Sequence, residues 1–180
     1  MRLAILGAGN WGTTLGILLS KKIKVVLWTI EPIDEMLVTR ENRKYLPGHK
    51  IPLGVEITND LAYALSGAKY IIFSVPSTVL RELAKKVYNT GFDRDAVIIS
   101  VIKGLEDNSF LRMSEILKEE LRTQQVCVVS GPTIAREVVK GLPTACVCAS
   151  TNIRLAEDVQ KLMSGPTCLL YTSPSPRDRG

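Results

Sequence analysis

Short runs of Val, Ile and Leu alternate along this chain with segments whose apolar residues recur every three or four positions. A run that is apolar at every position fits a strand buried on both faces, whereas a period near 3.6 fits a helix with one apolar side. Arg2–Leu6 and Lys24–Trp28 read as such strands, with a helix over 11–22 between them. A helix over 34–42 comes next, then a loop over 43–54 punctuated by Pro and Gly. Thr58, Asn59 and Asp60 supply N-cap chemistry for a short helix ending near Ser66 and Gly67, and a strand over 69–75 stops at Pro76. The rhythm then repeats, with strands over 96–100, 126–129 and 144–149 and helices over 109–121, 133–140 and 153–163. Alternation of this kind predicts a doubly wound α/β fold, a mostly parallel sheet with helices on both faces. It ends near Leu170. The stretch 171–180 carries Pro174 and Pro176 and no apolar period, reads as an unstructured tail, and looks like translated sequencing-adapter read-through.

Composition narrows the classes of function. With 46% hydrophobic and 23% charged residues in 180, the chain has material for one domain with a core. The net charge of +5 suits phosphorylated ligands, but no run of five like charges occurs, which argues against a nucleic-acid partner. The N-terminus lacks the pattern of a secretory signal, and no apolar run approaches the roughly 20 residues that span a bilayer. A soluble, cytoplasmic protein without a membrane partner is expected. Cys127, Cys146, Cys148 and Cys168 have no metal-site spacing and read as core residues; Cys146 and Cys148 alternate and so face the same side of one strand. His49, the one histidine, sits beside Pro47 and Gly48 and is given no role; no metal site is expected.

The sharpest chemical signal is Gly7-Ala8-Gly9-Asn10-Trp11-Gly12, a G-x-G-x-x-G between a predicted strand and a predicted helix. In that context Gly7 allows the tight turn, Gly9 lets a pyrophosphate approach the backbone, and Gly12 lets helix and strand pack closely. The helix N-terminus then offers amides and partial positive charge to the phosphates. This predicts a Rossmann-type dinucleotide site, although such a turn can also serve packing alone. Glu31, at the end of the second strand, is placed to accept hydrogen bonds from the adenosine ribose, or else it merely begins a helix with Pro32. No Arg or Lys stands between Trp28 and Asp34, which points to NAD, with NADP left open.

Three more strand ends carry candidate residues. Ser74-Val75-Pro76-Ser77 closes the fourth apolar run, where open α/β sheets place ligands, or else Pro76 and Ser77 simply start a helix. Lys103, beside Gly104, is able to hold a phosphate or polarise a carbonyl, though a lone lysine is commonly a solvated surface residue. Ser130-Gly131-Pro132-Thr133 leads into a helix start and forms either a second anion site or an ordinary turn.

Together these pieces resemble the bacterial-type NAD(P)-dependent glycerol-3-phosphate dehydrogenases. The likeness rests on GAGNWGT at 7–13, NRKYLPG at 42–48, VPS at 75–77, KGLE at 103–106, SGPTIAREV at 130–138 and GLPTA at 141–145, and spans about 1–170. It implies that Asn10 and Trp11 contact the cofactor, where the family more often has Ser or Tyr at one or other position. Lys103 would touch cofactor and substrate, Gly131 and Thr133 would line the substrate site, and Ala135 would pack near the cofactor. Ile30 stands where NADP-using members often carry basic or polar residues, a departure that again favours NAD. The implied reaction interconverts dihydroxyacetone phosphate and sn-glycerol 3-phosphate, the precursor of phospholipid headgroups, by hydride transfer. The resemblance makes 1–170 the dinucleotide-binding domain. The family's general-acid lysine lies in a second, helical domain, absent from these 180 residues, and the full-length protein would be a homodimer. The chain alone is thus expected to bind dinucleotide weakly or not at all, and not to turn over. The alternatives are another dehydrogenase of the 6-phosphogluconate-like group, or a non-catalytic dinucleotide-binding module.

Overall fold

A computed structural model describes residues 1–165 and 168–174. Its eight strands are β1 (Arg2–Leu6), β2 (Lys24–Trp28), β3 (Val55–Thr58), β4 (Ala68–Phe73), β5 (Val97–Ser100), β6 (Val126–Ser130), β7 (Thr144–Ser150) and β8 (Cys168–Pro174). They form one sheet in the order β3-β2-β1-β4-β5-β6-β7-β8. The first six run parallel, β7 is antiparallel to β6, and β8 is parallel to β7. Its helices are α1 (Asn10–Leu19), α2 (Asp34–Thr39), α3 (Leu61–Leu65), α4 (Leu80–Thr90), α5 (Met113–Leu121), α6 (Ala135–Val138) and α7 (Ile153–Met163).

The expected Rossmann-type sheet is what forms, and the burial explains its sequence. Leu3 and Ile5 of β1 enter one core with Leu15 and Leu19 of α1 and with Leu155 and Val159 of α7. Ala4 and Leu6, pointing the other way, enter a second core with α3, α4 and α5. Both faces are covered, so the four positions Leu3 to Leu6 are all apolar. The chain winds from β1 through β2 to β3 on one side and resumes at β4 on the other. The carboxyl ends of β1 and β4 therefore flank a topological switch point, where such sheets bind ligands.

Several boundaries differ from expectation for local reasons. The second helix stops at Thr39 because Arg40 takes a left-handed conformation, φ 52°, that closes it. The fifth begins at Met113, since Phe110, at φ 55°, lies in a turn stabilised by its N–H donating to the Glu106 carbonyl. Strand β3 was not expected from the sequence pattern, and of helix α4 only a start at Pro76 and Ser77 was offered as an alternative. The first is four residues at a sheet edge, and the second comes after a single turn of 3-10 helix, Ser77–Val79, which blurs its start. The unstructured tail expected from residue 171 is corrected in part. Tyr171 to Pro174 complete β8, paired in register with β7 from Val147 to Ser150, because ladder hydrogen bonds can order a stretch that has no apolar pattern of its own. The rest of that expectation, 175–180, lies outside the described residues. Cys127, Cys146 and Cys148 are buried in the core as expected.

Candidate functional site

β1 ends at Leu6, and Gly7 turns the chain with φ 114°, a conformation that L side chains rarely adopt. A Cβ there would lie 2.3 Å from the Ser74 carbonyl oxygen, so the turn also requires close approach to the end of β4. The Gly7 N–H donates to the Trp28 carbonyl and the Ser74 N–H to the Leu6 carbonyl, each at 2.9 Å, which pins three strand ends together. Gly12 is pressed against the same loop, where a Cβ would meet the Gly7 carbonyl oxygen at 1.9 Å. Gly9 differs. It is the N-cap of α1 and has no side chain to cap that helix, the Asn10 Oδ1 accepts the Trp11 N–H at 2.7 Å, and a Cβ on Gly9 would meet nothing within 4 Å. A helix N-terminus with open space over its glycine is a cradle for an anion.

This loop is one wall of a cleft of about 810 Å³ across the switch point. Gly7, Gly9, Asn10, Trp11, Glu31, Pro76, Lys103, Thr133 and Ala135 all line it. Gly12 and Gly131 stand behind the wall. A Cβ on Gly131 would lie 2.5 Å from the Ala145 carbonyl oxygen, so this glycine lets the antiparallel β7 close against the end of β6. The Gly131 carbonyl accepts Lys103 Nζ at 2.9 Å, which tethers the lysine across the cleft floor, and it accepts the Thr133 N–H at 2.8 Å. Of the two readings of the second helix start, α6 favours the ordinary turn: it has only four residues and begins at Ala135, too short to sum a useful dipole. Positive charge at that end comes from Lys103 instead.

The segment after Lys103 is clasped. Glu106 takes a bidentate ion pair from Arg81 of α4, at 2.7 and 2.9 Å, and a hydrogen bond from the Ser109 hydroxyl. Those bonds, the Arg81 one foremost, hold the Glu106 carboxyl at about 2, and the carboxylates of Glu106, Glu120 and Glu119 push the Arg81 guanidinium further up.

At the opposite end the structure supplies residues that the sequence pattern did not single out. Asn42, buried, donates through Nδ2 to the Ala8 carbonyl at 2.7 Å and to Thr13 Oγ1 at 2.9 Å, locking the 43–54 loop onto the glycine turn. Lys44 and Tyr45 are thereby delivered to Glu31, whose Oε1 accepts Lys44 Nζ at 2.7 Å and the Tyr45 hydroxyl at 2.9 Å. These bonds lower the Glu31 carboxyl below its ordinary value, and Glu31 in turn raises Lys44. No cation was expected beside Glu31, because none stands among its sequence neighbours; Lys44 arrives from 13 residues away. The signal was an Asn, a Lys and a Tyr together in a Pro/Gly loop. Ile30 lines the same end and is 83% exposed. His49 does not line the cleft.

Comparison with known proteins bears on what this cleft holds. Residues 2–156 match the family model described as NAD-dependent glycerol-3-phosphate dehydrogenase N-terminus. The chain belongs to this family. Among curated glycerol-3-phosphate dehydrogenases of the NAD(P)+ type, that of Pelotomaculum thermopropionicum is 42% identical over 179 residues, covering 96% of this chain and 51% of its own. The corresponding protein of Clostridium perfringens is 41% identical over 175 residues, covering 96% and 53%. The crystal structure of the Coxiella burnetii glycerol-3-phosphate dehydrogenase superposes with a TM-score of 0.88 at 34% identity, over 96% of this chain and 53% of that one. The chain thus spans about half the length of the curated relatives it matches.

The family's nicotinamide dinucleotide fits the residues present. Gly9 leaves the space that a pyrophosphate needs, α1 directs its N-terminus there, and Glu31 lines the same cleft just past the end of β2. Among the described residues no group of three or more His, Cys, Asp or Glu could hold a metal ion, and no helix is long and apolar enough to cross a membrane.

Proposed function

We propose that these residues form the nucleotide-binding half of an enzyme that interconverts dihydroxyacetone phosphate and sn-glycerol 3-phosphate in the cytoplasm, as a homodimer in its full-length form. One observation carries the reading: a single cleft joins the open Gly9 cradle to the tethered Lys103, with the acidic Glu31 at the other end. Glu31 accepts from the adenosine ribose, the backbone of Gly7 and Gly9 and the start of α1 receive the pyrophosphate, and Asn10, Trp11, Pro76 and Ala135 shape the wall. The dinucleotide supplies a hydride when bound. Lys103 offers a cation to the triose, either to its phosphate or to the carbonyl oxygen that gains charge as hydride arrives. Gly131 holds that cation through its carbonyl, and Thr133 lines the substrate end. Reduction of the ketone consumes one hydride and one proton. Among the described residues the cleft-lining lysines are Lys44 and Lys103; the first is engaged with Glu31 at the ribose end, and the second serves electrostatically, so the proton donor is to come from elsewhere in the full-length enzyme.

Titration of the 180-residue chain with NADH, followed by nicotinamide fluorescence and by a coupled assay with dihydroxyacetone phosphate, tests this. Weak binding without turnover is expected, and Lys103→Met should weaken the response to the triose phosphate more than it weakens NADH. Turnover by this chain alone would overturn the assignment of roles. Tight NADH binding with no effect of dihydroxyacetone phosphate would favour a non-catalytic dinucleotide-binding module.

A further inference from the structure

The cluster at the adenosine end of the cleft carries more than a ribose contact, provided that the cleft holds a dinucleotide as proposed. Glu31 receives two donors, Lys44 Nζ and the Tyr45 hydroxyl, both on Oε1, which leaves Oε2 without either of them. Tyr45 is held because Asn42 Oδ1 accepts its backbone N–H at 3.3 Å and because Leu46, next in the loop, is fully buried. Lys44 is not held in that way: its side chain is 62% exposed, against 36% for Glu31. It rests over the Tyr45 ring, with Nζ 5.0 Å from the centroid. Arg43 is engaged elsewhere, on Glu35 at 2.8 Å. Lys44 is therefore the more exposed partner of this ion pair, a cation on a long flexible stem that can exchange one anion for another.

We propose that Glu31, Lys44 and Tyr45 together discriminate at the 2′ position of the adenosine ribose, and that Lys44 is the residue that lets this chain accept a 2′-phosphate. With a 2′-hydroxyl, Glu31 accepts from the diol and keeps both of its own donors. With a 2′-phosphate, Lys44 leaves Glu31 and pairs with the ligand, exchanging one ion pair for another. Tyr45 stays on Glu31, whose carboxylate then faces the phosphate as a like charge. The diol ligand forfeits nothing and the phosphate ligand meets repulsion, so the unphosphorylated nucleotide is preferred, but not absolutely.

The test uses the isotope-labelled 180-residue chain, with affinities for ADP, adenosine 2′,5′-bisphosphate and the isomeric 3′,5′-bisphosphate read from amide shifts, which report even weak binding. Glu31→Gln frees Lys44 and removes the repulsion, so the 2′,5′-bisphosphate should gain on the order of tenfold over its affinity for the wild-type chain, the worth of one hydrogen bond to a charged group, while ADP gains nothing. Lys44→Met should weaken the 2′,5′-bisphosphate by about tenfold and ADP by less than about twofold, with Lys44→Arg restoring the loss. The 3′,5′ isomer, equal in charge, should not track these changes. Equal losses of ADP and 2′,5′-bisphosphate in Lys44→Met, or parallel behaviour of the two isomers, would overturn the proposal and leave the nucleotide reading intact. No shift with any nucleotide in any of the proteins would overturn both.

Discussion

A Cβ on Gly12 would sit 1.9 Å from the Gly7 carbonyl oxygen, whereas one on Gly9 would meet nothing within 4 Å. The two glycines should therefore fail differently. Gly12→Ala forces α1 away from the loop and should lower stability by about 1–3 kcal/mol, the usual cost of overpacking. Gly9→Ala should cost less than about 1 kcal/mol, as a poorer helix cap, yet obstruct the approach of a pyrophosphate. Thermal unfolding and nucleotide titration of both variants check this, and equal destabilisation would refute the distinction. The tight turn at Gly7 and the close packing at Gly12 were legible in the motif itself, because both arise from the geometry of one short turn. The Arg81–Glu106 clasp was not, since its partners lie 25 residues apart. Its pH dependence has a definite sign. Glu106, held at about 2 against an ordinary 4.5, contributes stability that is complete above pH 4.5 and is lost as pH falls toward 2. Glu106→Gln should thus be less stable than wild type at neutral pH, with the two unfolding midpoints converging by about pH 2. A difference that stays constant across that range would show that the loss is not of this ion pair.

Among the elements, the 43–54 loop shows where sequence reasoning stops. Its Pro and Gly content marked it as a loop, and its motif contributed to the family resemblance, yet its place in the site depends on Asn42 reaching Ala8, 34 residues earlier. Local periodicity carries no such information. Asn42→Ala would leave the Ala8 carbonyl and Thr13 hydroxyl without this donor in a buried setting, at a cost of about 1–3 kcal/mol. It should also release Lys44 and Tyr45, seen as faster amide exchange across 43–48 than in wild type. Exchange unchanged there would mean that buried Leu46 and Ile51 fix the loop without Asn42. The strands were legible for the opposite reason: Leu3 to Leu6 of β1, Val25 to Trp28 of β2 and Ile71 to Phe73 of β4 are buried on both faces, so these apolar runs have no interruptions.

At the scale of the molecule, the parallel order could be inferred from the alternation of strands and helices, but the reversal at β7 could not. Its burial alternates, with Cys146 and Cys148 inward and Val147 41% exposed, a pattern compatible with either direction. Val147 stands in register with Tyr171 of β8, 57% exposed, while Ile134 and Leu142 flank α6 at 56% and 49%. Apolar area of this kind is expected to bind a hydrophobic dye such as anilinonaphthalene sulfonate in the folded 180-residue chain. Dye fluorescence no greater than that of a compact control domain would contradict it. The reversal also decides how the protein can be handled. β7 and β8 both begin at the edge of the sheet that holds the cleft, and β8 carries the backbone across seven residues, roughly 20 Å, to Pro174 at the far edge. A biotin or surface linker attached at that position would anchor the molecule by its back, leaving the mouth of the cleft toward the flowing solution in a sensor-chip measurement.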